Sequence, residues 1–73
     1  MTLEQLRPGE RATVLALRLP GKESRRLRDL GLAEGAEIRC LGRSPLGDPA
    51  AYAVCGAALA LRRTEGQRIE VEV

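Results

Sequence analysis

The chain has 73 residues, 44% of them apolar and 30% charged, with twelve Lys and Arg set against ten Asp and Glu. That suits a soluble globular fold with one thin core and leaves no room for a second. There is no His, Trp or Phe, and Tyr52 is the only aromatic residue. Imidazole bases, imidazole metal clusters and aromatic platforms for stacking bases or gripping Pro-rich peptides are therefore excluded.

The opening Thr2-Leu3-Glu4-Gln5-Leu6 offers a capping box, Thr2 as N-cap and Gln5 three residues on, with Leu3 and Leu6 on one face of a single turn. Pro8-Gly9 suits a type II turn. The run from Arg11 to Leu19 reads as a strand that changes phase. Ala12 and Val14 share one face while Leu15, Leu17 and Leu19 share the other, which predicts a bulge. Pro20-Gly21 ends that strand, and Lys22 to Leu30 reads as a short helix with Leu27 and Leu30 as its apolar edge. Gly31 then falls at C′ and Leu32 at C″, where a Schellman ending packs Leu32 on Leu27.

A Gly turn at Glu34-Gly35 leads into a strand from Ala36 to Leu41, with Ala36, Ile38 and Cys40 inward. The segment Gly42 to Pro49 holds two Pro and two Gly and reads as a shaped connection, with Asp48 turning back on its own backbone. Ala50 to Arg62 reads as a hairpin about Gly56-Ala57, setting Val54 opposite Leu59 and Tyr52 opposite Leu61. Arg63 to Gly66 reads as a turn, and Gln67 to Val73 as a strand with Ile69, Val71 and Val73 inward. About five short strands with one small helix after the first imply a mainly β fold, a small barrel or sandwich.

The longest apolar stretch, Ala50 to Leu61, falls well short of the ~20 residues of a bilayer span. Met1 to Glu10 is polar and carries no secretory pattern, so a cytoplasmic location without membrane insertion is expected. The net positive charge sits in Lys22 to Leu30, where Lys22, Arg25, Arg26 and Arg28 outnumber Glu23 and Asp29. Such a face is either simply solvated or a positive patch for an acidic protein surface or a nucleotide phosphate. A sequence pI of 8.9 with mixed signs and no stacking aromatics argues against nucleic acid as a partner.

Cys40 and Cys55 are the only soft metal ligands, and their spacing matches no zinc motif. Strand parity turns Cys40 inward and Cys55 outward, so neither a disulfide nor a metal pair is expected. Ser24 and Ser44 have no His base, no Gly-rich phosphate loop is present, and no enzymatic activity is expected. The loop Ser44 to Pro49 is the most unusual local feature. It reads as a rigid connection or as a contact loop with Leu46 as an exposed anchor. An exposed outer hairpin face of Ala51, Ala53, Cys55, Ala58 and Ala60 would support a homodimer, whereas cover by the helix would not.

Four segments carry a family resemblance. Leu27-Arg28-Asp29-Leu30-Gly31-Leu32-Ala33-Glu34-Gly35 resembles the Arg-Leu-x-x-Met/Leu-Gly-Leu-x-x-Gly signature of FeoA-like proteins. Ser44-Pro45-Leu46-Gly47-Asp48-Pro49 resembles their Ala-Pro-Leu-Gly-Asp-Pro loop. Val54-Cys55-Gly56 with Leu59-Ala60-Leu61-Arg62-Arg63 is similar to their closing pattern, and Leu3-x-x-Leu6-x-x-Gly9 also fits.

The resemblance covers nearly the whole chain in order and implies an SH3-like barrel. It also implies a cytoplasmic accessory of ferrous iron uptake working with FeoB, a membrane transporter with a cytoplasmic guanine-nucleotide-binding domain. The resemblance also implies an association with transition metals such as ferrous iron; no cofactor is expected from the residues themselves, since the carboxylates of Asp29, Glu34, Glu37 and Asp48 are not brought together at ligand spacing. Leu30 stands where many members have Met, and Ala50, Ala51 and Ala53 are smaller than usual. Arg25, Arg26, Arg28, Leu46 and Asp48 are the candidate partner-binding residues. Two alternatives remain: a metal-responsive module akin to the C-terminal domain of iron-dependent repressors, and a small-barrel nucleic-acid binder.

Overall fold

The computed structural model describes residues 1–73. Five antiparallel strands form one sheet in the order β4-β3-β2-β1-β5. They are β1 (Arg11–Leu17), β2 (Glu37–Arg43), β3 (Ala50–Val54), β4 (Ala57–Leu61) and β5 (Ile69–Glu72). Helix α1 (Gly21–Asp29) follows β1, and a single turn of helix, α2 (Arg63–Gly66), joins β4 to β5. A short 3-10 helix at Leu3–Gln5 packs on α2 and β5. Thr2 N–H donates to Gln5 Oε1 at 2.9 Å, which is one half of the expected capping box. Leu3 and Leu6 are both fully buried, as their shared face requires.

Inward residues of every strand meet in one core. Val14, Ile38, Cys40, Tyr52, Val54, Leu61, Ile69 and Val71 are buried there, and Leu27 and Leu32 close it from the α1 side. The phase change in β1 is a bulge between Val14 and Ala16. Leu15 is the extra residue and is exposed, while Leu17 and Leu19 turn back against the core. One inserted residue swaps the faces, so both halves of the strand keep their apolar side inward. The ladder itself ends at Leu17, two residues short of the expected strand.

Helix α1 ends as a Schellman motif. Leu32 N–H donates to the Leu27 carbonyl at 2.9 Å and Gly31 N–H to the Arg28 carbonyl at 3.0 Å. Gly31 has φ +101°, and an added Cβ there would lie 2.9 Å from Cys55 Cβ. This position therefore needs Gly both for its left-handed backbone and for the close approach of the hairpin turn. The buried edge of α1 is Leu27 with Ser24, not Leu27 with Leu30, which is 47% exposed. Leu30 is the C-cap, and the chain's reversal there swings its side chain off the packed face.

The hairpin register differs from the sequence reading. The turn falls on Cys55-Gly56, with φ +49° and +79°, and Val54 pairs with Ala57, Tyr52 with Leu59 and Ala50 with Leu61. The expected pairing is displaced by two residues. A two-residue slip leaves every side chain on the same face, so the apolar pattern cannot tell the two registers apart. The observed turn has positive φ at both central residues, as in a type I′ turn, whose twist matches the flanking strands.

Three boundaries also differ. Strand β2 starts at Glu37 and continues through Gly42 and Arg43, with a second irregularity between Cys40 and Gly42. Arg63–Gly66, expected as a turn, is a single turn of helix. The last strand begins at Ile69, and Val73 lies beyond it, exposed.

Candidate protein-docking surface

The three arginines proposed from the sequence lie on the exposed side of α1, whose opposite side buries Ser24 and Leu27. They are not equivalent. Arg28 forms a two-point contact with Glu34, Nε to Oε1 at 3.3 Å and Nη2 to Oε2 at 2.7 Å. That hydrogen bonding holds the Glu34 carboxyl below its ordinary range and raises the Arg28 guanidinium further. Arg26 reaches Glu65 of α2 at 3.7 Å. Arg25 and Lys22 make no salt bridge. The free charge of the patch therefore resides chiefly at Lys22 and Arg25, while Arg28 is largely neutralised by its own neighbour.

The loop between β2 and β3 is held by Ser44 N–H donating to the Pro49 carbonyl at 3.0 Å and Gly47 N–H donating to the Ser44 carbonyl at 2.8 Å. The Asp48-Pro49 bond is cis. Leu46 stands at its tip, 95% exposed and the most exposed large apolar side chain of the protein. Asp48 does not fold back on its own backbone. Its Oδ1 accepts from Arg63 N–H at 2.9 Å, satisfying a free donor at the start of α2. Glu65 Oε1 accepts from Arg62 N–H at 3.0 Å at the same helix end.

Helix α2 thus links the two candidate elements. Arg26 ties α1 to it through Glu65, and Asp48 ties the loop to it through Arg63. The sequence does not show this junction, because Arg62 is not a usual capping residue and the Asp48 that accepts from Arg63 N–H lies fifteen positions upstream of it. Arg62 and Arg63 form a further cationic pair, adjacent in the sequence. Both are exposed and neither forms a salt bridge.

Elsewhere the surface has only small hollows. One of about 400 Å³ is lined by Leu41, Arg43, Ser44, Pro49, Ala51 and Ala60, among others. Cys40 is buried, as strand parity requires, and Cys55 is exposed in the hairpin turn beyond β3, both as free thiols. No three Cys, Asp or Glu side chains converge. The donor set does not fit a resident transition metal, since one thiol is sealed in the apolar core and the other faces solvent. Burial pushes the Tyr52 phenol above its ordinary value, and its hydroxyl lies 3.5 Å from the Leu3 carbonyl.

A model of the FeoA domain matches residues 1–73. The chain belongs to the FeoA family. It is 30% identical over 73 residues to an Fe(2+) transport protein A/Fe(2+) transporter FeoB fusion protein of Porphyromonas gingivalis, covering all of this chain and 9% of that relative. The chain thus spans about a tenth of the length of the curated relative it matches. The solution structure of the FeoA protein from Chlorobium tepidum superposes with a TM-score of 0.96 at 40% identity, covering 100% of this FeoA domain and 70% of that chain.

The crystal structure of Stenotrophomonas maltophilia FeoA complexed with zinc, described as an SH3 domain protein, gives a TM-score of 0.82 at 34% identity over 99% of this chain and 89% of that one. The architecture is therefore SH3-like, as the resemblance implied. A manganese-dependent transcriptional repressor shares the fold alone, at 22% identity, a TM-score of 0.85 and coverage of 99% and 40%.

Proposed function

We propose that this FeoA domain is a cytoplasmic, non-enzymatic accessory of ferrous iron transport that docks on the guanine-nucleotide-binding domain of a FeoB-type membrane transporter. The observation that carries the reading is the Porphyromonas gingivalis relative, in which a segment matching this whole chain is joined to FeoB. Fusion of two chains keeps partners at high effective concentration, which suits a small domain with a modest contact surface. No helix here is long and apolar enough to cross a membrane, so the transporter would supply the passage and the iron would be its cargo.

The docking surface on this reading combines α1 with the Ser44–Pro49 loop. Lys22 and Arg25 steer the encounter with an acidic surface, and Arg26 and Arg28 add to the patch through their partly paired charges. Leu46 inserts as the apolar anchor, and Asp48 holds the loop that presents it. Binding of the purified domain to the transporter's cytoplasmic domain tests the proposal. Arg25→Glu with Arg26→Glu should slow association, and Leu46→Ala should speed dissociation. Binding that both variants leave undiminished removes this surface from the interface. No binding by the parent domain overturns the docking itself.

A further inference from the structure

We propose that two copies of this chain associate through β4, edge to edge and antiparallel about a two-fold axis at Leu59, a contact separate from the docking surface above. The two edges of the sheet are treated differently. The outer edge of β5 is covered by the N-terminus: Val71 N–H donates to the Met1 carbonyl at 2.8 Å, and Thr2 bridges to Glu70. β5 also carries Glu70 and Glu72. β4 has neither protection. Its residues are Ala-Ala-Leu-Ala-Leu, without charge, Pro or bulge, and only Leu61 is buried. Edge strands normally carry such guards, because bare ones pair.

The register shows which groups are free. Two-residue hairpins alternate bonded and non-bonded pairs, starting bonded beside the turn. Val54–Ala57, Tyr52–Leu59 and Ala50–Leu61 are then the bonded pairs, and the N–H and C=O of Ala58 and Ala60 point away from β3. No other backbone or side-chain group bonds them. A two-fold axis at Leu59 sets Ala58 opposite Ala60 of the second copy, and the reverse, so every one of these groups finds a partner.

The self-complementary register names a second copy as the occupant, and charge sets its direction. β4 is followed by Arg62 and Arg63, both unpaired. A parallel arrangement would stack these arginines on their copies. The antiparallel one brings them to the second copy's Cys55-Gly56 turn, which is uncharged and lies against the C-terminal end of α1, with Cys55 Sγ 3.6 Å from the Gly31 carbonyl. That helix ends at Asp29, exposed and without a salt bridge, and a helix C-terminus itself favours cations. The hollow on the other side of the turn holds Arg11 and Arg39 with Glu37, so the attraction for these arginines lies on the α1 side. Head-to-tail pairing of β4 with β5 is blocked by Met1 and Thr2.

A five-residue edge buries much less than the ~1,600 Å² of a standard interface, so association should be weak and reversible. Sedimentation equilibrium of the purified chain should give a mass rising from 7.9 kDa toward twice that value between roughly 10 µM and 1 mM. Hydrogen exchange at the Ala58 and Ala60 amides should slow over the same range. Ala58→Pro removes one outward N–H, and Ala60→Lys adds charge on the exposed edge. Each should weaken association tenfold or more while circular dichroism stays unchanged. A constant monomer mass, association without slowed exchange at those two amides, or self-association undiminished in a folded variant would overturn the proposal. So would protection of β4 seen only with the transporter's cytoplasmic domain, which would assign the edge to another partner.

Discussion

Replacing Gly31 by Ala perturbs one point where backbone conformation and packing meet. The residue sits at φ +101°, where an L-residue costs about 1–2 kcal/mol. The added methyl would also stand 2.9 Å from Cys55 Cβ and 3.0 Å from Cys55 Sγ, and forcing a methyl into filled space costs about 1–3 kcal/mol. The sum is about 2–5 kcal/mol, a large share of what the core of so small a domain supplies. Cys55→Gly removes both contacting atoms at a position whose own φ of +49° suits Gly. The double variant should therefore recover the steric part and keep a deficit of about 1–2 kcal/mol. Urea denaturation of the four proteins in reducing buffer, compared at constant m, measures each value. A Gly31→Ala loss below about 0.5 kcal/mol, or a coupling energy near zero, would refute the contact and the cap geometry built on it.

Thiol labelling should modify Cys55 at once and Cys40 only as the protein unfolds, since the first is exposed and the second buried; mass spectrometry of partly labelled samples reads the order. Asp48→Ala leaves the Arg63 N–H without its acceptor and should cost about 1 kcal/mol, read as a lower urea midpoint. Glu34 and Glu70 are held below the usual 4.5 by hydrogen bonds from Arg28 and Arg18 respectively. Their contribution is thus present above that value and lost as pH falls through the lowered folded ones. Thermal melts should show stability declining slightly below about pH 5, and Glu34→Gln with Glu70→Gln should flatten that decline.

What could be read in advance was what short-range chemistry determines. The bulge in β1 follows from a parity change between Val14 and Leu17, and the end of α1 from Leu27, Gly31 and Leu32 acting together. The burial of Cys40 follows from alternation with Ile38, whereas Cys55 is exposed because it lies in the hairpin turn beyond β3. The hairpin register escaped because a slip by one full pleat repeat preserves hydrophobic faces. The candidate surface was only half legible. Charge counting finds Arg25, Arg26 and Arg28, but their inequality depends on Glu34 and Glu65, which fold against them from other elements. The role of Asp48 was hidden for the same reason.

That role has a consequence for anyone exchanging parts between relatives. The Ser44–Pro49 segment looks like a self-contained cassette, yet its acid at position 48 is moored to the first peptide of α2, and Glu65 of that same turn is moored to α1. A graft that carries a new tip without an acid at that place would loosen the turn leading into β5 as well. Loop and helix have to travel as one piece.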